Sequence, residues 1–205
     1  MKKSILIFSA LFLMMDFAHA ENADLNKIEN YLNNINTLEA NFVQMSSNGG
    51  SAEGKIYIEK PSKIRMEYTA PDQILIVGNG EYIIYNDQEL DQITNIDYKD
   101  IPATVILSNK IKFDGKNLKV TDYYKDGGQT SVTVEMPDSP GVKPITLIFD
   151  NAPFRLKQWK VIDQQNIEVT ISLFDAEQDK KLSESLFKFN KNSQTAAPLS
   201  ASRRK

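Results

Sequence analysis

Turn signals recur along this chain at short, fairly regular intervals, and no other feature limits its fold as tightly. They are Gly49-Gly50, Pro61, Pro71, Asn79-Gly80, Asp114-Gly115, Asp126-Gly127-Gly128, Ser139-Pro140-Gly141, Asn151-Ala152-Pro153 and Gln164-Gln165-Asn166. The runs between them are short and rich in Ile, Val, Thr, Tyr and Phe, which suit a pleated, half-buried surface. Many short strands at this spacing predict a mainly β protein: one antiparallel sheet, closed as a barrel or folded as a sandwich. "QILIVGNGEYIIY" reads as a hairpin whose Asn-Gly supplies the two positive-φ residues of a type I′ turn. "YYKDGGQTSVTVEM" reads as another. No internal repeat and no second domain are visible.

Two segments depart from this pattern. From Ala23 to Asn36, Leu25, Ile28, Leu32 and Ile35 recur at spacings of three and four, the apolar stripe of an amphipathic helix. Asp24 near its start favours the helix dipole. The period then drops to two: in "LEANFVQ", Leu38, Ala40 and Phe42 alternate with Glu39, Asn41 and Val43, predicting the first strand. Farther on, "IPATVILSNK" (Ile101 to Lys110) has a proline placed to begin a helix and an apolar patch of Val105, Ile106 and Leu107. It predicts a short helix inserted into the run of strands.

The first twenty residues are of another kind. Lys2 and Lys3 precede an apolar run from Ile5 to Met15, and Ala18-His19-Ala20 follows as a small-x-small site. That three-part pattern predicts a secretory signal cleaved after Ala20. The run is too short for a stable membrane-spanning helix, although a retained anchor is the competing reading. The predicted organisation is a signal at 1–20, one domain at 21–191 and a mobile, aperiodic tail at 192–205.

Cleavage removes His19, the sole histidine, from a chain that has no cysteine. The mature protein then lacks Ser-His-Asp and Cys-His nucleophile pairs, zinc sites of the usual Cys/His kind, and disulfides. It also lacks a lipid-bearing cysteine after the signal, so a soluble exported protein is expected. About 185 residues suffice for one domain with a sizeable core. No cofactor is implied. "DGKNLK" has neither the upstream glycine nor the following Ser/Thr of a phosphate loop. With a formal net charge of −3, nucleic acid is not expected as a partner; the basic "SRRK" end is short. Acidic pairs such as Asp87 with Asp91, or Asp138 with Asp150, are more simply turn residues than a two-carboxylate hydrolase. The chain is therefore not expected to be an enzyme.

Two neighbouring strands carry the most informative pattern. In "KPSKIRMEYTAP", Ile64, Met66 and Tyr68 point one way, and Lys63, Arg65 and Glu67 point the other, toward water. In "GKIYIEK", Ile56, Ile58 and Lys60 share that apolar parity, provided Pro61 does not shift the register. Two readings stay open. The common face is ordinary core beneath the first helix, or it lines a cavity in a curved sheet that helices only partly fill.

These same residues resemble the LolA-type periplasmic carriers of outer-membrane lipoproteins. The match runs from "LEANFVQ" through "GKIYIEKPSKIRMEYTAPDQILIVGNGEYIIYNDQELDQ", with Phe42, Gln44, Gly54, Ile56, Ile58, Lys60, Pro61, Tyr68, Pro71, Gly80, Tyr85, Asn86 and Gln92 at the pattern positions. The resemblance implies an incomplete antiparallel β-barrel of about eleven strands, with helices covering its concave apolar face. It implies a lipid-binding wall of Ile56, Ile58, Ile64, Met66, Tyr68 and Ile84, and a lid of Leu25, Ile28, Leu32, Val105, Ile106 and Leu107. Lys60 stands where many members have an arginine, and would latch the lid. Met66 stands where many have a tryptophan. The implied partners are acylated lipoproteins, an inner-membrane ABC-type complex that releases them, and an outer-membrane acceptor; the implied carrier is a periplasmic monomer. Generic lipid binding is the alternative.

Overall fold

The computed structural model describes residues 22–190. The expected signal segment at 1–20 and the expected tail at 192–205 lie outside the described residues. A helix, α1, covers residues 22–34. Eleven strands follow: β1 (Thr37–Ser46), β2 (Ser51–Glu59), β3 (Lys63–Tyr68), β4 (Ile74–Asn79), β5 (Ile83–Asp87), β6 (Gln92–Ile96), β7 (Lys119–Lys125), β8 (Gln129–Glu135), β9 (Ile145–Asn151), β10 (Phe154–Ile162) and β11 (Glu168–Gln178). They form one sheet in the order β6-β5-β4-β3-β2-β1-β11-β10-β9-β8-β7. Every pairing is antiparallel.

That order is a meander joined to itself where β1 pairs with β11 and left open between β6 and β7. The open barrel is thus selected over the sandwich. Between the two free edges runs the segment from 97 to 118, which contains 3-10 turns at Tyr98–Asp100 and Pro102–Leu107. The second of these is the expected inserted helix in tighter form. It is six residues long, begins at Pro102 and has no side-chain cap. So short a piece gains little from α-helical bonding, and the adjacent β-branched Val105 and Ile106 lower its helix propensity further.

Register explains which side chains meet. Pro61 does not change the parity: Ile58 lies opposite Ile64, and Ile56 opposite Met66. On the concave side, Phe42, Ile56, Ile58, Leu147, Phe149 and Val132 are essentially inaccessible to solvent. Ile28 and Leu32 of α1 join them there. The turn at Asn79-Gly80 departs from expectation. Among these residues only Gly80 has positive φ. The Asn79 carboxamide oxygen instead accepts from the backbone N–H groups of Glu81 and Tyr82, 3.0 and 3.3 Å away. Asparagine here serves as a side-chain cap of the turn.

The convex face of β3 is not simply open to water. After β11 the chain crosses the outside of the sheet, and a 3-10 turn at Glu184–Phe187 settles over β3 and β4. Arg65 Nη1 donates to the Leu186 carbonyl at 3.0 Å and its Nε to Glu67 at 2.5 Å. Leu75, Val77, Ile84 and Phe187 are buried on this side, apart from the main core. This corrects the placement of Ile84. Its cross-strand neighbour is Val77, and Val77 faces Arg65, so Ile84 points away from the hollow. Among the described residues no helix is long and apolar enough to cross a membrane.

Candidate functional site

The site begins with the strand periodicity. Ile64, Met66 and Tyr68 of β3 face inward, as do Ile58 of β2, Ile76 of β4 and Ile83 of β5. From the other arm of the sheet come Gln44, Trp159, Val161, Val169 and Ile171. Ile101, Ala103, Thr104, Ile106 and Leu107 roof them over. Together they line a partly open cavity of about 280 Å3. A well-packed core leaves few voids larger than a water, and this hollow lies beside residues that also belong to the main core cluster, Ile58, Met66 and Tyr68 among them.

The sequence-based residues fall into three groups. Ile58, Ile64, Met66 and Tyr68 border the cavity, with Ile106 and Leu107 opposite them. Ile56, Val105, Leu25, Ile28 and Leu32 pack in or against the surrounding core without bordering it. Ile84 is on the convex face. The helix lies away from the cavity because Tyr31 meets Phe149 and Phe154 edge-on, with ring centroids 5.9 and 5.4 Å apart. That contact draws α1 toward β9 and β10.

The two covering elements are tied at one turn. Lys60 Nζ donates to the Leu32 carbonyl of α1 at 2.6 Å, and the Lys60 backbone N–H donates to the Asn36 carbonyl at 2.8 Å. Two residues on, the Ser62 N–H donates to the Leu107 carbonyl at 3.0 Å. The Tyr98 hydroxyl donates to the Ser62 carbonyl. The covers also bind each other, since Asn33 accepts from the Ile111 N–H at 2.7 Å and donates to its carbonyl at 2.8 Å. Burial pushes the Lys60 ammonium down to about 8 from an ordinary value of 10.5. Among the described residues no carboxylate pairs with it; a single carbonyl receives its charge.

Sequence reasoning missed the contributions of β10 and β11. The alternation of Val169, Ile171 and Leu173 was available as a signal. A register shift in β10 between Leu156 and Gln158 hid the parity of Trp159. Gln44 and Gly54 were visible as pattern positions, and the structure supplies a reason for them. Phe42 and Tyr68 meet edge-on at 5.0 Å across β2, and the residue between them is Gly54. A Cβ there would lie 2.0 Å from the Glu67 carbonyl oxygen and 2.9 Å from the Phe42 ring. With that space open, the Tyr68 hydroxyl donates to Gln44 Oε1 at 2.8 Å. Burial pushes the Tyr68 phenol well above its ordinary value, so it remains a neutral donor.

A curated outer-membrane lipoprotein carrier protein of Pseudomonas aeruginosa (strain UCBPP-PA14) is 28% identical over 200 residues, covering 90% of this chain and 92% of the relative. An uncharacterized protein of Rickettsia prowazekii (strain Madrid E) is 26% identical over 200 residues, covering 97% and 92%. Among solved structures, a DUF1329 family protein from Desulfovibrio piger superposes with a TM-score of 0.50 at 9% identity, covering 80% of this chain and 95% of that one. A LolA superfamily protein from Nitrosomonas europaea gives 0.47 at 9% identity, covering 80% and 97%. The family model described as outer membrane lipoprotein carrier protein LolA matches residues 33–190. A match over that span of an eleven-stranded open barrel means that the chain belongs to the LolA family.

Proposed function

We propose that this protein is a periplasmic carrier. It shelters the acyl chains of lipoproteins released from the inner membrane and delivers them to an outer-membrane acceptor. The observation that carries the reading is the apolar cavity of about 280 Å3 under the 3-10 segment, in a barrel left open between β6 and β7. The names of its Pseudomonas relatives support the same role.

The magnitudes agree with such a cycle. Burying each CH₂ contributes roughly 0.8 kcal/mol, so about three acyl chains gain tens of kcal/mol. The cavity as it stands is near the lower end of the roughly 300–1,000 Å3 range of ligand pockets. It accepts only part of that cargo until the roof moves. Displacing the roof and α1 offsets some of the gain, and that offset makes release possible. The chain has no phosphate loop, so loading is driven from outside it, by an ABC-type complex of the inner membrane.

Lys60 is the latch of this lid, and its burial gives closure a pH dependence. When α1 lifts away, Lys60 returns to water and its ordinary affinity for a proton. Between pH 8 and about 10.5 the closed form therefore binds fewer protons than the open form, and rising pH favours closure. Below pH 7 both forms carry the ammonium and the dependence vanishes. Trp159 is the only tryptophan and borders the cavity. Acrylamide quenching of its fluorescence is expected to fall as pH rises from 8 to about 10, and to stay flat in Lys60→Met.

The direct test is purification from the periplasm of a Gram-negative host, followed by mass spectrometry of whatever remains bound. Intact acylated lipoprotein is the expected result. Free phospholipid alone would mean a generic lipid-binding module.

A further inference from the structure

The cavity wall is apolar apart from three side chains with polar groups on one wall or roof: Gln44, Tyr68 and Thr104, with the indole of Trp159 as a fourth. The Thr104 hydroxyl is engaged by the carbonyls of Tyr98 and Ile101, at 3.0 and 2.7 Å. The Tyr68 hydroxyl is engaged by Gln44 Oε1. Two donors remain. The Gln44 carboxamide N–H₂ has no hydrogen-bond partner among the described residues, because Tyr68 occupies its oxygen end. The Trp159 indole N–H has none either.

Trp159 is only 3% exposed, and a tryptophan this buried usually finds a partner for its N–H. No side-chain nitrogen or oxygen among the described residues is both enclosed and unbonded. The indole N–H is therefore not fully enclosed, and Trp159 is one of the residues that line the cavity. The two donors share one transverse row of the sheet: Gln44 lies opposite Ile171, and Ile171 opposite Trp159. Their backbones are two strands apart, roughly 10 Å. The row sits near the barrel end where β3 finishes and β11 begins, away from the end closed by α1 and Lys60.

We propose that Gln44, held by Tyr68, and Trp159 form a donor row that recognises the carbonyl oxygens of acyl linkages, ester or amide. This rests on the acyl-carrier reading and refines it. A hydrocarbon tail satisfies the isoleucines, Met66 and Leu107, and needs no donor. A linkage carbonyl entering the same cavity loses its water and needs one. The donors sit near the end opposite α1, so the linkage stays there and the chain runs inward toward Ile64 and Leu107. The row thus sets the direction in which an acyl chain is threaded. Tyr68 is a positioning residue: its hydroxyl turns the Gln44 oxygen away and leaves the N–H₂ for the ligand.

The experiment compares two probes on the delipidated full chain: a twelve-carbon fatty acid methyl ester, and the alkyl ether of equal length that lacks the carbonyl. Each displaces a fluorescent apolar dye. The wild-type protein is expected to prefer the ester by roughly five- to tenfold, the equivalent of one or two hydrogen bonds. Gln44→Leu should lose most of that preference while binding the ether as before. Trp159→Phe should lose part of it. Tyr68→Phe keeps the ring against Phe42, removes only the hydroxyl, and should also reduce the ratio; it serves if Gln44→Leu folds poorly. Equal binding of ester and ether by the wild type overturns the donor row and leaves the carrier reading standing, as does an undiminished ratio in Gln44→Leu. If neither probe binds, the acyl-carrier reading falls first and the donor row with it.

Discussion

Met66→Glu is expected to abolish copurification with acylated lipoproteins while the chain remains folded. Met66 is 6% exposed and stands on the cavity wall, with Ile56 and Ile76 directly beside it on the neighbouring strands. A carboxylate there has no cation among the cavity-lining residues to pair with. In a filled core that burial would cost several kcal/mol and unfold the protein. Beside a cavity the carboxylate can keep water, so the folding penalty stays near ~1–3 kcal/mol. An entering acyl chain must strip that water again, which weakens binding by more than ~100-fold at several kcal/mol. Pull-down from the periplasm and thermal unfolding, run side by side, separate the two effects. Unfolding at room temperature would mean that Met66 is packed as core. Met66→Leu conserves volume and should retain cargo, at a cost below about 1.5 kcal/mol.

Gly54→Ala should be the most destabilising single-methyl change in the sheet. The added Cβ meets backbone, the Glu67 carbonyl oxygen at 2.0 Å, and also the Phe42 ring at 2.9 Å. Backbone on the neighbouring strand cannot swing aside as a flexible side chain does. β2 and β3 must separate locally, which disturbs both the Phe42–Tyr68 contact and the Tyr68–Gln44 hydrogen bond. A loss of about 3 kcal/mol or more is expected, placing it in the tail of single-mutant effects. For a domain of this size that lowers Tm by roughly 6–12 °C. Calorimetry on Gly54→Ala, with Gly127→Ala as the control, measures it; a Cβ at Gly127 meets nothing within 4 Å. A drop no larger than that of the control would show that β2 and β3 have slack.

Both results depend on strand parity, and parity is a local property. The inward set Ile56, Ile58, Ile64, Met66 and Tyr68 is therefore readable from two short stretches of sequence. β5 shows where such reading stops. "YIIY" is apolar on both faces, so its alternation cannot say whether Ile83 or Ile84 turns inward. The choice is fixed by register: Ile84 lies beside Val77, and Val77 beside Arg65, on the convex side that Phe187 covers from about a hundred positions downstream. The helix is a similar case. Its stripe of Leu25, Ile28, Leu32 and Ile35 announces a buried face, but Tyr31 docks it on Phe149 and Phe154. Those partners come from β9 and β10, more than a hundred residues away.

Residue order alone thus settled which segments are strands, which side of most strands is apolar, and that His and Cys chemistry is missing from the part expected to be exported. Each of these follows from neighbours two to four positions apart, or from simple inventory. Folding in three dimensions decided the rest: that β1 zips to β11, that the ring breaks between β6 and β7, and that α1 and the 97–118 stretch leave a void. Those outcomes arise from contacts between groups distant along the backbone, where sheet curvature and the bulk of a few aromatic rings govern how much of the interior is filled.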